Sequence, residues 1–304
     1  MTDLPSDVRD LLEERSAARA DRDWARADEL RARLRDLGWE PQDTASGSTA
    51  RPILPAATDL ELPSLLDEPP TMAASVQLLA GEHPEDLRRF LVGFGAHPPS
   101  VGHEVLVVDD APSADLEAVI DGSGVAATVL GTGQPLGWAD ARNLGMRRSR
   151  GEITVLVDTS LEPTGDFLGP LLAAFDDATV GVAGGWGVRS DDGRHFEEAP
   201  AGEVDAIEAY CLAIRREALR AVTGFDHRFR FYRNADLDLS FAIRDRGWRA
   251  IRTDPLPFRR HEHRGYAALP DDERDRLSRR NFYRFLKHWG DRRDLLLGTD
   301  RDGG

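Results

Sequence analysis

The feature that most restricts this chain is an alternation, from residue 76 onward, of short apolar runs with stretches of helical character. The runs are VQLL at 76–79, EVLVVDD at 104–110, ATVL at 127–130, ITVLVD at 153–158 and VGVAGG at 180–185. Between them, residues 84–94, 113–121, 137–149 and 166–175 read as helices. Continuous apolar runs of this length suit strands buried on both faces, and strands alternating with helices imply a mostly parallel sheet flanked by helices. The expected fold class is α/β. Ligands of such sheets gather at the carboxyl ends of the strands, and two of these runs end in aspartate, at Asp109 and Asp110 and at Asp158.

The 304 residues exceed what one sheet domain of this kind needs, and the first fifty have a different character. Residues 6–19 and 23–37 read as two helices, with Ser6 as the cap, Gly38 as the stop, and Trp24 with the leucines as an internal core. A polar, turn-forming stretch from Trp39 to Ile53 suits a short two-stranded finish. Five prolines between Pro52 and Pro70 then mark a stiff connector. The expected organisation is a helical hairpin over 1–51, a proline-rich linker over 52–72 and the sheet domain over 73–304.

Charge and cysteine content narrow the function classes. The 39 Lys and Arg against 54 Asp and Glu give a net charge of -15, opposite to what a general binder of phosphate backbones requires. The single cysteine, Cys211, can form neither an internal disulfide nor a multi-cysteine zinc site. The start lacks the basic flank and apolar run of a secretory signal, and no apolar stretch approaches the ~20 residues that span a bilayer. The expected location is cytoplasmic.

The order of motifs carries a resemblance. VVDD ends one strand, LGWADARNLGMRRSRGE follows, and ITVLVDTS ends the next strand in Asp158. This series resembles the inverting glycosyltransferases of family 2, which have the GT-A fold. Residues 210–251 extend it, with Gly224, Phe225, Asp226, Asp236, Asp238, Leu239, Arg244 and Gly247 matching the acceptor-side block of that family.

The resemblance implies a nucleotide-sugar donor, with Asp109 or Asp110 facing the base and Arg142 bordering the nucleotide pocket. It also implies Mn2+ or Mg2+ held on the diphosphate by a motif that begins at Asp158. Asp236 would be the catalytic base, and the acceptor a glycan, a lipid-linked molecule or a small molecule. Two positions depart from the family pattern: Ser160 stands where a second carboxylate is usual, and Ala235 where a glutamate is. A unit-charge pair at 4 Å contributes about 4 kcal/mol at an effective dielectric of 20, so Ser160 weakens the expected metal site. Glu162, His261 and His263 are the further candidate ligands, the two histidines falling on one face of an extended chain.

Asp238, about 200° around a helix from Asp236, is expected to be solvated or paired with Arg244. The aromatics of the helix over 271–289 would form core or a lid over the site. The alternative reading is a GT-A-like domain that binds a nucleotide or glycan, or scaffolds a partner, without catalysis. Residues 15–52 resemble the small C-terminal tail of cysteinyl-tRNA synthetases, which gives a third reading, an RNA-associated protein. The excess of acids over arginines across residues 1–51 argues against unaided tRNA affinity.

Overall fold

The computed structural model describes residues 4–37, 39–44, 47–52, 59–81, 83–110 and 116–298. The chain divides into two compact units, residues 1–56 and 57–304.

The smaller unit holds helices α1 (Ser6–Ala20) and α2 (Trp24–Asp36) and the antiparallel strands β1 (Trp39–Thr44) and β2 (Gly47–Pro52). Val8, Leu11, Leu12, Leu30 and Leu34 recur at helical spacing and form its buried core. Two expectations change here. Ser6 is already helical and Pro5 occupies the cap position, whereas Asp23 caps the second helix by accepting the Arg26 N–H at 3.1 Å. Trp24 is not core: at the first position of α2 it is 56% exposed, with the Arg19 guanidinium 5.7 Å from its ring. Gly38, the expected stop, lies outside the described residues.

The larger unit begins with β3 (Met72–Ala80), α3 (Pro84–Ala96), β4 (His103–Asp109), α4 (Leu116–Asp121), β5 (Thr128–Gly131), α5 (Trp138–Arg147) and β6 (Gly151–Val157). The first residues of the helix expected over 113–121 lie outside the described set. The chain continues through β7 (Leu161–Pro163), α6 (Leu168–Ala173), β8 (Val180–Gly184), β9 (Gly187–Arg189), β10 (Glu197–Glu198), β11 (Gly202–Glu203) and β12 (Ala206–Ile207). It ends with β13 (Cys211–Arg215), α7 (Arg216–Val222), α8 (Ala235–Asp245), β14 (Arg249–Arg252), β15 (Phe258–Arg260), α9 (Arg264–Ala267) and α10 (Asp271–Trp289).

Eight strands form one mixed sheet in the order β11, β14, β8, β13, β6, β3, β4, β5. β13 and β11 run antiparallel to their neighbours, and the remaining strands share one direction. Burial on both faces explains the unbroken apolar runs. In β6, Ile153, Val155 and Val157 pack with Phe90, Phe94 and Phe167 on one face, while Leu156 joins Leu219, Leu239 and Ile243 on the other. Each such side chain contributes about 1.5–3 kcal/mol of burial.

Close approach at the start of β6 requires glycine. A Cβ on Gly151 would stand 2.4 Å from the Ser75 backbone nitrogen and 2.6 Å from the Ala74 carbonyl carbon, atoms held in the sheet. Gly151→Ala is therefore expected to destabilise the domain by about 1–3 kcal/mol through overpacking, read as a lower urea midpoint at unchanged slope.

Residues 59–71, within the stretch read as connector, lie along the larger unit. The Asp59 carboxylate accepts the Gly131 N–H at 2.8 Å, and the Leu65 N–H reaches the Arg147 carbonyl at 2.7 Å. The buried Arg216 guanidinium donates to the carbonyls of Leu66 and Glu68 at 3.2 and 3.0 Å. Among the described residues no helix is long and apolar enough to cross a membrane.

Candidate active site

Two hollows open at the carboxyl ends of the sheet strands and share a wall made of Trp138, Asp158, Tyr232 and His263. One, of about 300 Å³, is lined beyond that wall by the end of β3, the start of α3, Asp110, Arg142, Ser160 and Arg264. The other, of about 280 Å³, is lined by Glu208, Tyr210, Arg233, Asp236, Arg194 and Phe282 among others.

Asp158 follows the last residue of β6, where the sheet stops covering it. Its Oδ1 accepts the Ser160 N–H at 2.8 Å, and its Oδ2 faces His263 Nε2 at 3.3 Å. Burial opposes ionisation of this carboxyl, but the bonds from His263 and Ser160 outweigh it and bring the pKa down to about 2. The same pairing raises His263 against the lowering effect of its own burial. The Tyr266 N–H reaches the His263 carbonyl at 3.0 Å and Nδ1 at 3.1 Å, so the imidazole caps α9 and turns Nε2–H toward Asp158.

Arg142 stands on α5 behind this point. It is 2% exposed, and it donates to the carbonyls of Gln77 and Val157 at 3.1 Å each, tying β3 to the end of β6. Its Nε is buried without a hydrogen-bond partner, and burial lowers the guanidinium to about 10 although Asp158 works in the opposite sense. The neighbouring Asn143 bonds both the N–H and the carbonyl of Phe225 at 2.8 Å, which clamps the chain leading to α8 against α5.

The pair at the end of β4 divides. Asp110 lines the larger hollow, and its oxygens accept the N–H groups of Leu136 and Gly137 at 2.8 and 3.1 Å. Burial nevertheless raises its carboxyl. This carboxylate holds the turn that opens α5, where Gly137 takes a φ of 96° that other residues rarely adopt. Asp109 lines neither hollow; its carbonyl accepts the Thr132 N–H at 3.1 Å.

Asp236, in the first turn of α8, lines the smaller hollow. Its Oδ2 accepts the Ala209 N–H at 2.9 Å, while burial raises its carboxyl above the usual range. Glu208 lines the same hollow and is raised by burial and by the charge of Asp236. Ala235, beside it, is buried in apolar core. Asp238 turns away from Asp236, but neither solvent nor Arg244 receives it. It is 7% exposed and takes bonds from Trp289 Nε1 at 2.9 Å and His288 Nδ1 at 3.1 Å, because α10 covers that face of α8; Arg244 pairs instead with Asp205.

The four candidate metal ligands do not converge. His261 Nε2 lies 2.6 Å from Glu162 Oε2, on the pairing of β7 with β15, and neither residue lines a hollow. The alternation expected of the two histidines ends where His263 becomes the cap of α9. Among the described residues no three His, Cys, Asp or Glu side chains form a metal-holding group. What remains at the shared wall is one carboxylate and one imidazole. That donor set fits a divalent ion that takes its other ligands from phosphate and water once the His263 proton moves to Nδ1 to free Nε2, a move in which Nδ1 gives up the Tyr266 N–H while the His263 carbonyl keeps it paired.

Sequence reasoning missed Glu208, Tyr210, Arg233 and Arg194, which come to the smaller hollow from loops and strand ends. Only the aromatic run FYRN carried a local signal, through Tyr232. Phe282 of α10 reaches the smaller hollow while Phe285 is buried, so this helix supplies both core and cover.

Residues 87–256 match the family model described as Glycosyl transferase family 2, and residues 1–39 match that of the cysteinyl-tRNA ligase anticodon binding domain. The solved structure of GalNAc-T7 with UDP, GalNAc and Mn2+ superposes with a TM-score of 0.58 at 16% identity, over 73% of this chain and 50% of that one. The larger unit thus has the GT-A architecture. Since the first match spans more than half of its length, the chain belongs to glycosyl transferase family 2.

The pre-mycofactocin glycosyltransferase of Mycobacterium tuberculosis (strain CDC 1551 / Oshkosh) is 26% identical over 201 residues, which cover 60% of this chain and 41% of that protein. Cysteine--tRNA ligase 1 of Burkholderia lata is 41% identical over 61 residues, 20% of this chain and 13% of the ligase. This chain therefore spans less than half of either relative.

Proposed function

We propose that this protein transfers a sugar from a nucleoside diphosphate donor to an acceptor hydroxyl, with inversion at the anomeric carbon. The observation that carries the reading is the wall of Asp158, His263, Trp138 and Tyr232 common to both hollows. Two substrates lying on either side of it meet there. The donor occupies the hollow beside Asp110 and Arg142, with its diphosphate toward Asp158 and His263. The acceptor occupies the hollow of Asp236.

Asp236 takes the proton of the acceptor hydroxyl as that oxygen attacks the anomeric carbon from the face opposite the diphosphate, which leaves with the bonding electron pair. Burial raises Asp236 and so makes it a stronger base than an exposed carboxylate. The Arg142 guanidinium and Arg264, which stands at the edge of the donor hollow and is shared with Glu85 and Asp86, place positive charge near the leaving group. Asp158 and His263 would hold a divalent ion, which when bound supplies further charge against the diphosphate.

The test is thermal stability of the full chain with UDP, GDP and their sugar conjugates, with and without Mn2+, alongside release of free sugar. A ligand at a hundredfold its dissociation constant stabilises by about 2.7 kcal/mol. One nucleotide is expected to raise the melting temperature and its sugar conjugate to be hydrolysed slowly. Saturable stabilisation without turnover of any conjugate would make the domain a binder, and tRNA retention lost on removing residues 1–51 would favour the RNA reading.

A pH profile follows from the base. Asp236 acts only when ionised, and its raised pKa moves the acid limb of kcat/KM, which reports the free protein, above the pH 3.8 of an ordinary aspartate. Activity that stayed level down to pH 4 would contradict the assignment.

A further inference from the structure

The smaller hollow carries a charge pattern that the transfer reaction itself does not require. Arg194 and Arg233 both line it; among the described residues neither makes a close ion pair, although the charge of Arg233 acts on Asp236 and Glu208 across the hollow. Other surface arginines, such as Arg249 with Asp177 and Glu203, Arg252 with Glu198, and Arg292 with Asp245 and Asp294, are engaged by carboxylates.

Arg194 and Arg233 are both presented by built supports. The Arg194 N–H and His195 N–H close a turn on Asp192 Oδ1 at 2.7 and 2.8 Å, and the next residue, Phe196, anchors edge-on against Phe285. On the other side, the fully buried Asn281 of α10 donates to the carbonyls of Phe231 and Arg233 at 2.7 and 2.9 Å, fixing the loop that carries Arg233. The Arg233 guanidinium rests 5.7 Å from the Tyr266 ring. Phe196, Tyr210 and Phe282 add aromatic surface to the same hollow, whose 280 Å³ is at the small end of small-molecule sites.

We propose that the acceptor is a small hydroxylated molecule with an apolar ring and an anionic group, carboxylate or phosphate, which Arg194 and Arg233 receive while the hydroxyl faces Asp236. This rests on the smaller hollow being the acceptor site. Guanidinium groups bind both anions through paired N–H donors, and aromatic walls hold the ring. Asp236 and Glu208 in the same hollow would repel an anion placed beside them, so the anionic group sits on the arginine side. The upward shift of the Glu208 carboxyl lessens that repulsion.

Calorimetry on the full chain saturated with UDP or GDP and Mn2+ tests this with three matched probes. These are 4-(hydroxymethyl)benzoate, 4-(hydroxymethyl)phenyl phosphate and the neutral 4-(hydroxymethyl)benzamide. At least one anionic probe is expected to bind about tenfold or more tightly than the amide, with the difference shrinking at high salt. Whichever anion binds better identifies the group. In Arg194→Ala and Arg233→Ala the preference should fall, and in the double variant it should vanish, while Arg233→Lys retains part of it.

Equal affinity for all three probes, absence of binding by any, or a preference that survives in the double variant would overturn the inference. If neither UDP nor GDP binds and no sugar nucleotide is hydrolysed, the transferase reading fails and takes the inference with it. Nucleotide binding with no anion preference sinks the inference alone.

Discussion

Replacing Asp236 by asparagine is expected to lower sugar transfer by about 10²–10⁴-fold, the range contributed by a positioned general base. Asparagine keeps the size of the side chain and an oxygen able to accept the Ala209 N–H, so the turn at the start of α8 survives. The variant loses the capacity to take a proton from the attacking hydroxyl and, with its NH2 in place of Oδ1, the bond from the Leu237 N–H. Stability should hold or rise slightly, since the raised pKa shows that folding disfavours the charged carboxylate. Nucleotide affinity is expected to stay at the wild-type value because Asp236 lines the other hollow. Measured kcat and nucleotide dissociation constants together check this; a parallel loss of both would place Asp236 in the donor site or in the fold.

Asp158→Asn should produce the opposite division. Removing this charge takes away the carboxylate of the shared wall and the partner that raises His263. A charge pair near 4 Å is worth about 4 kcal/mol at an effective dielectric of 20, partly offset by the burial cost that the neutral side chain escapes. Nucleotide affinity in the presence of Mn2+ is expected to fall by tenfold or more, with a smaller change in its absence.

The variant also has a pH signature. The wild-type carboxyl lies at about 2, below the ordinary 3.8, so its contribution to stability is present above 3.8 and is lost as pH falls through about 2. In Asp158→Asn that acid-dependent loss is missing, which a stability profile across the window would show. Unchanged nucleotide affinity with Mn2+ would remove Asp158 from the donor site.

Much of the architecture was legible because two-sided burial writes itself into consecutive residues. Val105, Leu106, Val107 and Val108 are all buried, and so are Val155, Leu156 and Val157, and the aspartates that end these runs mark the edge of the sheet. Asp110 and Asp158 could be named for that reason, Arg142 and Asp236 through the family resemblance, and all four line the hollows.

What the sequence hid depended on distant partners. Asp238 is buried because His288 and Trp289 arrive from about fifty positions downstream. His261 and His263 parted company because His263 caps a short helix that starts at the next residue, so that one reaches Glu162 and the other Asp158. Trp24 obeyed helical periodicity yet stood at the helix end, beyond the reach of the hairpin core. Glu208 had no local mark at all, since its meaning comes from Asp236 across the hollow.

Crystals of the full chain grown with Mn2+ and UDP or GDP provide the most direct measurement, through an anomalous difference map. The account predicts manganese density beside Asp158 and His263, with the nucleotide extending past Arg142 and Asp110. Nucleotide density lodged in the hollow of Asp236, or on the hairpin unit, would contradict it.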